Sequence, residues 1–250
     1  MIAKLNTMRT LVIGDIHGAL RALVQVLERA DIQTDDYLIF LGDYADGWSE
    51  TPEVMDFLIG YQKKQRCLFL RGNHDALCRE FLLGKEMDTL WRLHGGKATE
   101  KAYRNVSAER KKAHIDFLKS LENYYLDSKN RLFLHAGFTN LRGIAHEHFE
   151  QMYYWDRTLW ELACSVSLPK TDKHYPNRLK LYNEIYIGHT PTTRLGTDKP
   201  LIFNGVTNVD TGAGFKGRLT VMDIETKEYW QSEPVYKLYP EEQGDNSKRE

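Results

Sequence analysis

"YLIFLGDYADGW", Tyr37 to Trp48, runs an apolar stretch straight into a glycine and two carboxylates, Asp43 and Asp46, three positions apart. The apolar part reads as a buried strand, and Gly with Asp is ordinary turn chemistry, so alone the stretch says little about function. Its weight comes from repetition: "TLVIGDIHG" (Thr10 to Gly18) and "CLFLRGNHD" (Cys67 to Asp75) follow the same plan. Between these runs Leu20, Leu23, Val24, Leu27 and Ala30 recur at helical spacing. Thr51 and Pro52 read as the N-cap and first turn of a second helix, with Val54, Phe57, Leu58 and Tyr61 on one face. A βαβαβ start places the chain in the α/β class, with parallel strands and helices packed against the sheet.

Outward from that core, residues from about Ala76 to Asn123 are charged and helix-patterned, ending in a face of Ala113, Phe117, Leu118 and Leu121. This segment reads as a helical cap insertion. Strands are expected again at Arg131 to Leu134, Ile185 to Ile187, Val206 to Val209 and Arg218 to Ile224, the last turning back through "ETKEYW" as a hairpin. No repeat or low-complexity linker interrupts the chain, so residues 1–239 are expected to form one domain. Residues 240–250, "PEEQGDNSKRE" from Pro240, have nothing to bury and read as a disordered polar tail.

The chain has 250 residues, enough for one large domain, and a formal net charge of −1. That balance argues against a nucleic-acid partner or a membrane surface recruited by global charge. Cys67, Cys78 and Cys164 are odd in number without CxxC spacing, which suggests reduced thiols rather than a disulfide framework. The N-terminus enters its first motif without a secretory pattern, and no run approaches membrane-spanning length, so a cytoplasmic address is expected.

Each early strand ends in metal-ligand residue types: Asp15 and His17 in "GDIHG", Asp43 and Asp46 in "GDYAD", Asn73 and His74 in "RGNHD". Two later strands do the same, with His135 in "RLFLHAG" and His189 in "IYIGHTP". A lone cluster of this kind is more often a turn with a surface histidine, but in open α/β sheets ligands bind beyond the carboxyl ends of the strands, and these strand ends would share one rim. Carboxylate, amide and imidazole donors together suit Mn²⁺, Fe²⁺ or Zn²⁺ rather than an all-oxygen Ca²⁺ cage.

The ordered set GDxHG, GDxxD, GNHD, HAG and GHTP resembles the phosphoprotein phosphatase family of calcineurin-like metallophosphoesterases, especially its small bacterial and phage members. The likeness spans about Thr10 to Ile224 and extends to "YYWDR" (Tyr153 to Arg157) and "NVDTGAGFKGRLTVMDI" (Asn208 to Ile224). It implies a two-sheet β-sandwich flanked by helices. It also implies two divalent ions, with Mn²⁺ first in expectation: Asp15 and His17 on one, Asp43 bridging, and Asn73, His135 and His189 on the other. His74 would then be the general acid, oriented by Asp46, and metal-bound hydroxide would attack phosphorus in line. Arg71 and Arg157 match phosphate-binding arginines of the family.

The departure lies at Gly47-Trp48, where the family motif continues with Arg-Gly. A guanidinium clamp is missing, so an arginine restored at position 47 is expected to lower KM for small phosphomonoesters. Trp48 reads as a packing residue, with stacking on a substrate ring as the alternative. "LHGGKAT" (Leu93 to Thr99) imitates a family motif but follows a helical pattern, which puts His94 in the cap, near substrate if anywhere. His114, His146, His148 and His174 read as surface residues. The leading functional reading is a phosphatase acting on phosphoprotein or phosphopeptide monoesters, or another small phosphorylated substrate. Its alternatives are hydrolysis of dinucleoside polyphosphates of the diadenosine tetraphosphate type, and a metal-binding pseudophosphatase scaffold without turnover.

Overall fold

Along each central strand, alternate side chains enter two different cores. In the computed structural model, which describes residues 8–242, β1 (Thr10–Ile13) sends Leu11 and Ile13 toward helices and Val12 toward a second sheet. In β2 (Tyr37–Phe40), Leu38 and Phe40 go one way and Ile39 the other, and in β3 (Arg66–Phe69) Phe69 and Leu68 divide alike. Because both faces are covered, the period-two alternation is written in uniformly apolar letters, which is why these strands read as unbroken hydrophobic runs.

Two five-stranded sheets result. One has the order β10-β9-β1-β2-β3, with β1, β2 and β3 parallel and β9 (Thr220–Asp223) antiparallel to both of its neighbours, β1 and β10 (Tyr229–Gln231). The other has the order β4-β5-β6-β8-β7, formed by β4 (Tyr124–Leu126), β5 (Arg131–Leu134), β6 (Glu184–Ile187), β7 (Leu201–Phe203) and β8 (Val206–Asn208). Val12, Ile39, Leu41, Leu70, Phe133, Tyr186, Val209 and Met222 form the layer between the sheets. Helices α1 (Leu20–Arg29) and α2 (Thr51–Tyr61) cover the first sheet, so the fold is a helix-flanked two-sheet sandwich, as the motif resemblance implies.

After β3 come α3 (Asn73–Leu82), α4 (Thr89–Trp91), a π-type turn over Arg92–Gly96, α5 (Lys97–Ala102) and α6 (Ala108–Lys119). Beyond β5 lie α7 (Met152–Trp155) and α8 (Thr158–Ser165), and α9 (Val235–Leu238) follows β10. Three local expectations are corrected. Edge strands β4 and β7 add to the strands expected from sequence, because three residues with partly exposed faces carry too little periodicity to mark them. The buried face of α6 uses His114 in place of Ala113: the imidazole is fully buried between the Tyr103 hydroxyl and Asp56, at 2.9 Å from each. Thr51 lies inside α2 rather than at its cap, and its hydroxyl accepts the backbone N–H of Asp46. Of the expected polar tail, residues 243–250 lie outside the described residues, while Glu242 accepts hydrogen bonds from both the backbone and hydroxyl of Ser49.

Candidate metal centre and substrate cavity

The five strand ends converge through a few backbone contacts. Ile16 and His17 N–H groups both donate to the Asp43 carbonyl, at 2.9 and 2.8 Å, which locks the turn after β1 to the turn after β2. Asp75, buried at the start of α3, accepts from the N–H groups of Gly72, Asp43 and Tyr44, each at 2.8 Å, tying the third turn to the second. Gly72 permits this closeness, since a Cβ there would stand 2.0 Å from Asp43 Oδ1. His17, Asp43, Asp46 and His189 all take positive φ without being glycine. Such backbone costs about 1–3 kcal/mol per residue and persists only where surrounding contacts over-determine it, as they do here.

The side chains gather accordingly. Donor atoms of Asp43, His135 and His189 lie within 4.8 Å of one another, and so do those of His17, Asp43 and His74. Asp43 belongs to both groups. Asn73 Oδ1 sits between the two rings of the first group, 3.1 Å from His135 Nε2 and 2.9 Å from His189 Nδ1. Asp15 lies beneath, with Oδ2 accepting the His189 N–H at 3.0 Å. All six predicted ligand residues are thus brought to one place, all buried.

The electrostatics of this cluster ask for a cation. Burial, reinforced by the charges of Asp210 and Asp43, pushes the Asp15 carboxyl well above its usual range. Burial also lifts Asp210, to about 6. Asp43 goes the other way: burial opposes its charge, but the His135 and His74 imidazoles outweigh it and hold the carboxyl far down. Burial depresses His17 to about 4, keeping the neutral ring that a metal requires. Asp15 Oδ1, His17 Nδ1 and His189 Nε2 are buried with no hydrogen-bond partner. Crowded carboxylates, the neutral His17 and His189 rings and unpartnered donor atoms together fit divalent ions.

Asp46 is held by the helical segment. It is fully buried, with Oδ2 2.8 Å from His74 Nδ1 and accepting Trp91 Nε1–H at 2.7 Å, while Oδ1 accepts the Thr99 hydroxyl at 2.6 Å. Trp91, just before "LHGGKAT", and Thr99, at its end, escaped the sequence reading because only the His-Gly-Gly of that stretch resembles a motif. The His94-Gly95 turn between them docks on the site: Gly47 N–H donates to the Gly95 carbonyl at 3.2 Å. Trp48 is buried, stacks on Tyr239 and donates Nε1–H to the Ala213 carbonyl at 2.8 Å, so its packing role stands and the substrate-stacking alternative is withdrawn.

A cavity of about 770 Å³ opens over the cluster, lined by His17, Asp43, Asn73, His74, Asp210 and His189 at its floor. Arg157 and Arg194 also line it, with Trp155 and Phe215 and with Leu90, Leu93 and His94 of the helical segment. Asp210 and Arg194 were not singled out in the sequence. Asp210 had a signal, since it follows an apolar strand as the other site residues do; Arg194, five positions past His189, had none.

Arg71 differs from its expected role. Nη1 donates to Asn123 and Glu150, both at 2.8 Å, and Nη2 to the Leu121 carbonyl at 3.0 Å, and the residue does not line the cavity. It ties the turn after β3 to the segment preceding β4. Arg71→Ala is therefore expected to destabilise the protein by about 2–4 kcal/mol, read as a lowered urea midpoint, with KM shifted less than threefold. A KM rise of tenfold at unchanged stability would return Arg71 to the phosphate site.

Comparison with known proteins agrees with this geometry. Residues 8–226 match the calcineurin-like phosphoesterase family. The chain is 26% identical over 236 residues, 87% of its length and 89% of the relative's, to the asymmetrical bis(5'-nucleosyl)-tetraphosphatase PrpE of Oceanobacillus iheyensis. It is 25% identical over 228 residues to the protein of the same name from Anoxybacillus flavithermus, covering 84% and 88% of the two chains. In fold it is similar to the cold-active protein-tyrosine phosphatase of a psychrophilic Shewanella, with a TM-score of 0.56 and 14% identity over 91% of this chain and 81% of that one.

Proposed function

Since this chain belongs to the calcineurin-like phosphoesterase family, we propose that it is a two-metal hydrolase whose preferred substrate is a dinucleoside tetraphosphate. Asp15, His17 and Asp43 would hold one ion, and Asp43, Asn73, His135 and His189 the other, with Mn²⁺ the expected occupant. Bound there, divalent ions supply Lewis-acid polarisation of the phosphoryl group and a water acidic enough to serve as nucleophile near neutral pH. His74 donates a proton to the leaving oxygen, and Asp46 holds its ring by the 2.8 Å contact at Nδ1. Arg157 steadies a phosphate oxygen. Burial of the floor residues keeps these charges effective by excluding water.

The observation that carries the substrate choice is the cavity. Its 770 Å³ exceeds what a phosphoryl group needs, and it combines two arginines with large apolar side chains that stay partly exposed. Phosphates joined to a flat aromatic base meet both requirements. The relatives named as bis(5'-nucleosyl)-tetraphosphatases support the same reading. Leu90, 61% exposed, and Leu93, 47% exposed, favour one competitor, because they would equally receive the apolar side chains of a phosphopeptide.

The test is kcat/KM of the Mn²⁺-loaded protein on diadenosine tetraphosphate and on a phosphopeptide, side by side. A preference of at least tenfold for the dinucleotide, about 1.4 kcal/mol of differential transition-state binding, is expected. The reverse preference would make the protein a phosphoprotein phosphatase, and binding without turnover of either would leave a scaffold.

A further inference from the structure

The cavity holds more cationic and apolar surface than the scissile phosphate can use. Arg157 and Arg194 both line it, and among the described residues neither guanidinium has a hydrogen bond or ion pair within reach. Most other arginines at this end of the molecule are spent: Arg71 on Asn123, Glu150 and Leu121, and Arg178 on Phe138 and Thr158. Two unengaged guanidiniums around one cavity repel each other unless an anion lies between them. Burial first, and then the charge of Arg194, push Arg157 below its ordinary pKa. Asp210 also lines the cavity, yet it forms no ion pair with Arg194.

Arg194 is not a loose surface residue by its backbone. It belongs to the 3₁₀ turn Thr192–Leu195, which follows directly on the His189 turn. The Thr192 N–H donates to the Asp210 carbonyl at 2.9 Å, and Thr193 packs so closely on Gly212 that a Cβ there would come within 2.8 Å of it. The guanidinium is exposed while its backbone is anchored to the floor of the site. Trp155 stands two residues before Arg157, is 43% exposed, and meets the His189 ring edge-on at 6.2 Å. A tryptophan left partly in water beside Arg157 offers a face to a planar ligand, and stacking of a base on such a ring is worth about 1–3 kcal/mol.

We infer that Arg194 and Trp155 form a second subsite, beside the reacting centre, for the distal phosphates and terminal nucleoside of a dinucleoside polyphosphate. The inference rests on the substrate reading above and adds to it a residue that sets chain-length preference. It also accounts for the missing motif arginine: the second guanidinium of the cavity comes from the turn after β6 rather than from position 47.

Arg194→Ala, with Arg194→Gln as the companion variant, tests it. The ratio of kcat/KM for diadenosine tetraphosphate to that for p-nitrophenyl phosphate, with Mn²⁺, should fall tenfold or more, through KM rather than kcat. Calorimetry of diadenosine tetraphosphate on metal-free protein should show a matching loss of affinity and a shallower dependence on salt, because one phosphate contact is gone. If wild type prefers the dinucleotide and both variants keep that preference, the subsite is wrong and the substrate reading survives. A wild-type enzyme with no preference overturns both.

Discussion

His74→Asn is expected to lower kcat by about 10²–10⁴-fold while the protein still binds its full complement of Mn²⁺. The expectation turns on a geometric ambiguity. His74 has a ring atom close enough to His17 and Asp43 to act as a ligand, yet its Nδ1 lies 2.8 Å from Asp46 Oδ2, the arrangement of an oriented proton donor. Asp46 is itself fixed by Trp91 and Thr99, and so many donors on one buried carboxylate make sense if the orientation of the imidazole matters. Metal content by atomic emission, measured beside kcat, separates the roles. Loss of one equivalent of metal would make His74 a ligand, and retained turnover would remove it from the mechanism.

Gly47→Arg is expected to destabilise the protein by more than about 3 kcal/mol and to abolish most of its turnover, the opposite of the lowered KM that the motif departure suggests. Gly47 is buried at a φ of +94°, a conformation that side-chain-bearing residues resist. A Cβ there would lie 3.1 Å from the His17 side chain, and the Gly95 turn covers the other approach: a Cβ on Gly95 would stand 2.4 Å from Gly47 N. An arginine at 47 would meet both the metal-site histidine and the docked helical segment, and its charge would have no partner. Urea unfolding and Mn²⁺-dependent hydrolysis of p-nitrophenyl phosphate check this. A lowered KM with an unchanged midpoint would mean that the turn opens into the cavity.

The departure from the family motif is thus structural as well as chemical. Where the motif would carry an arginine into the cavity, this chain has a glycine that admits the His94-Gly95 turn. The same turn is flanked by the two residues that hold Asp46. Losing the clamp and docking the helical segment are one arrangement, and they set the boundary of the cavity that Arg157 and Arg194 share.

From the residues alone, the sheet core and the residues of the buried cluster can be read. Apolar runs of four or five residues ending in Gly, Asp and His mark strand ends wherever they fall, and the order of such runs is local information. That is why the run Thr10 to Ile13 coincides with β1, and why Asp15, His17, Asp43, Asn73, His135 and His189 stand out in the sequence and gather in the fold. What tertiary structure alone decided was the use of each charge. Arg71 and Arg157 look alike as motif arginines, but one is enclosed by Asn123, Glu150 and Leu121 and the other lines the cavity. His114 looks like a surface histidine until Tyr103 and Asp56 close on it. A polar side chain carries no periodicity that reports its environment, because its free energy depends on partners distant in the chain, and only folding brings those partners to it.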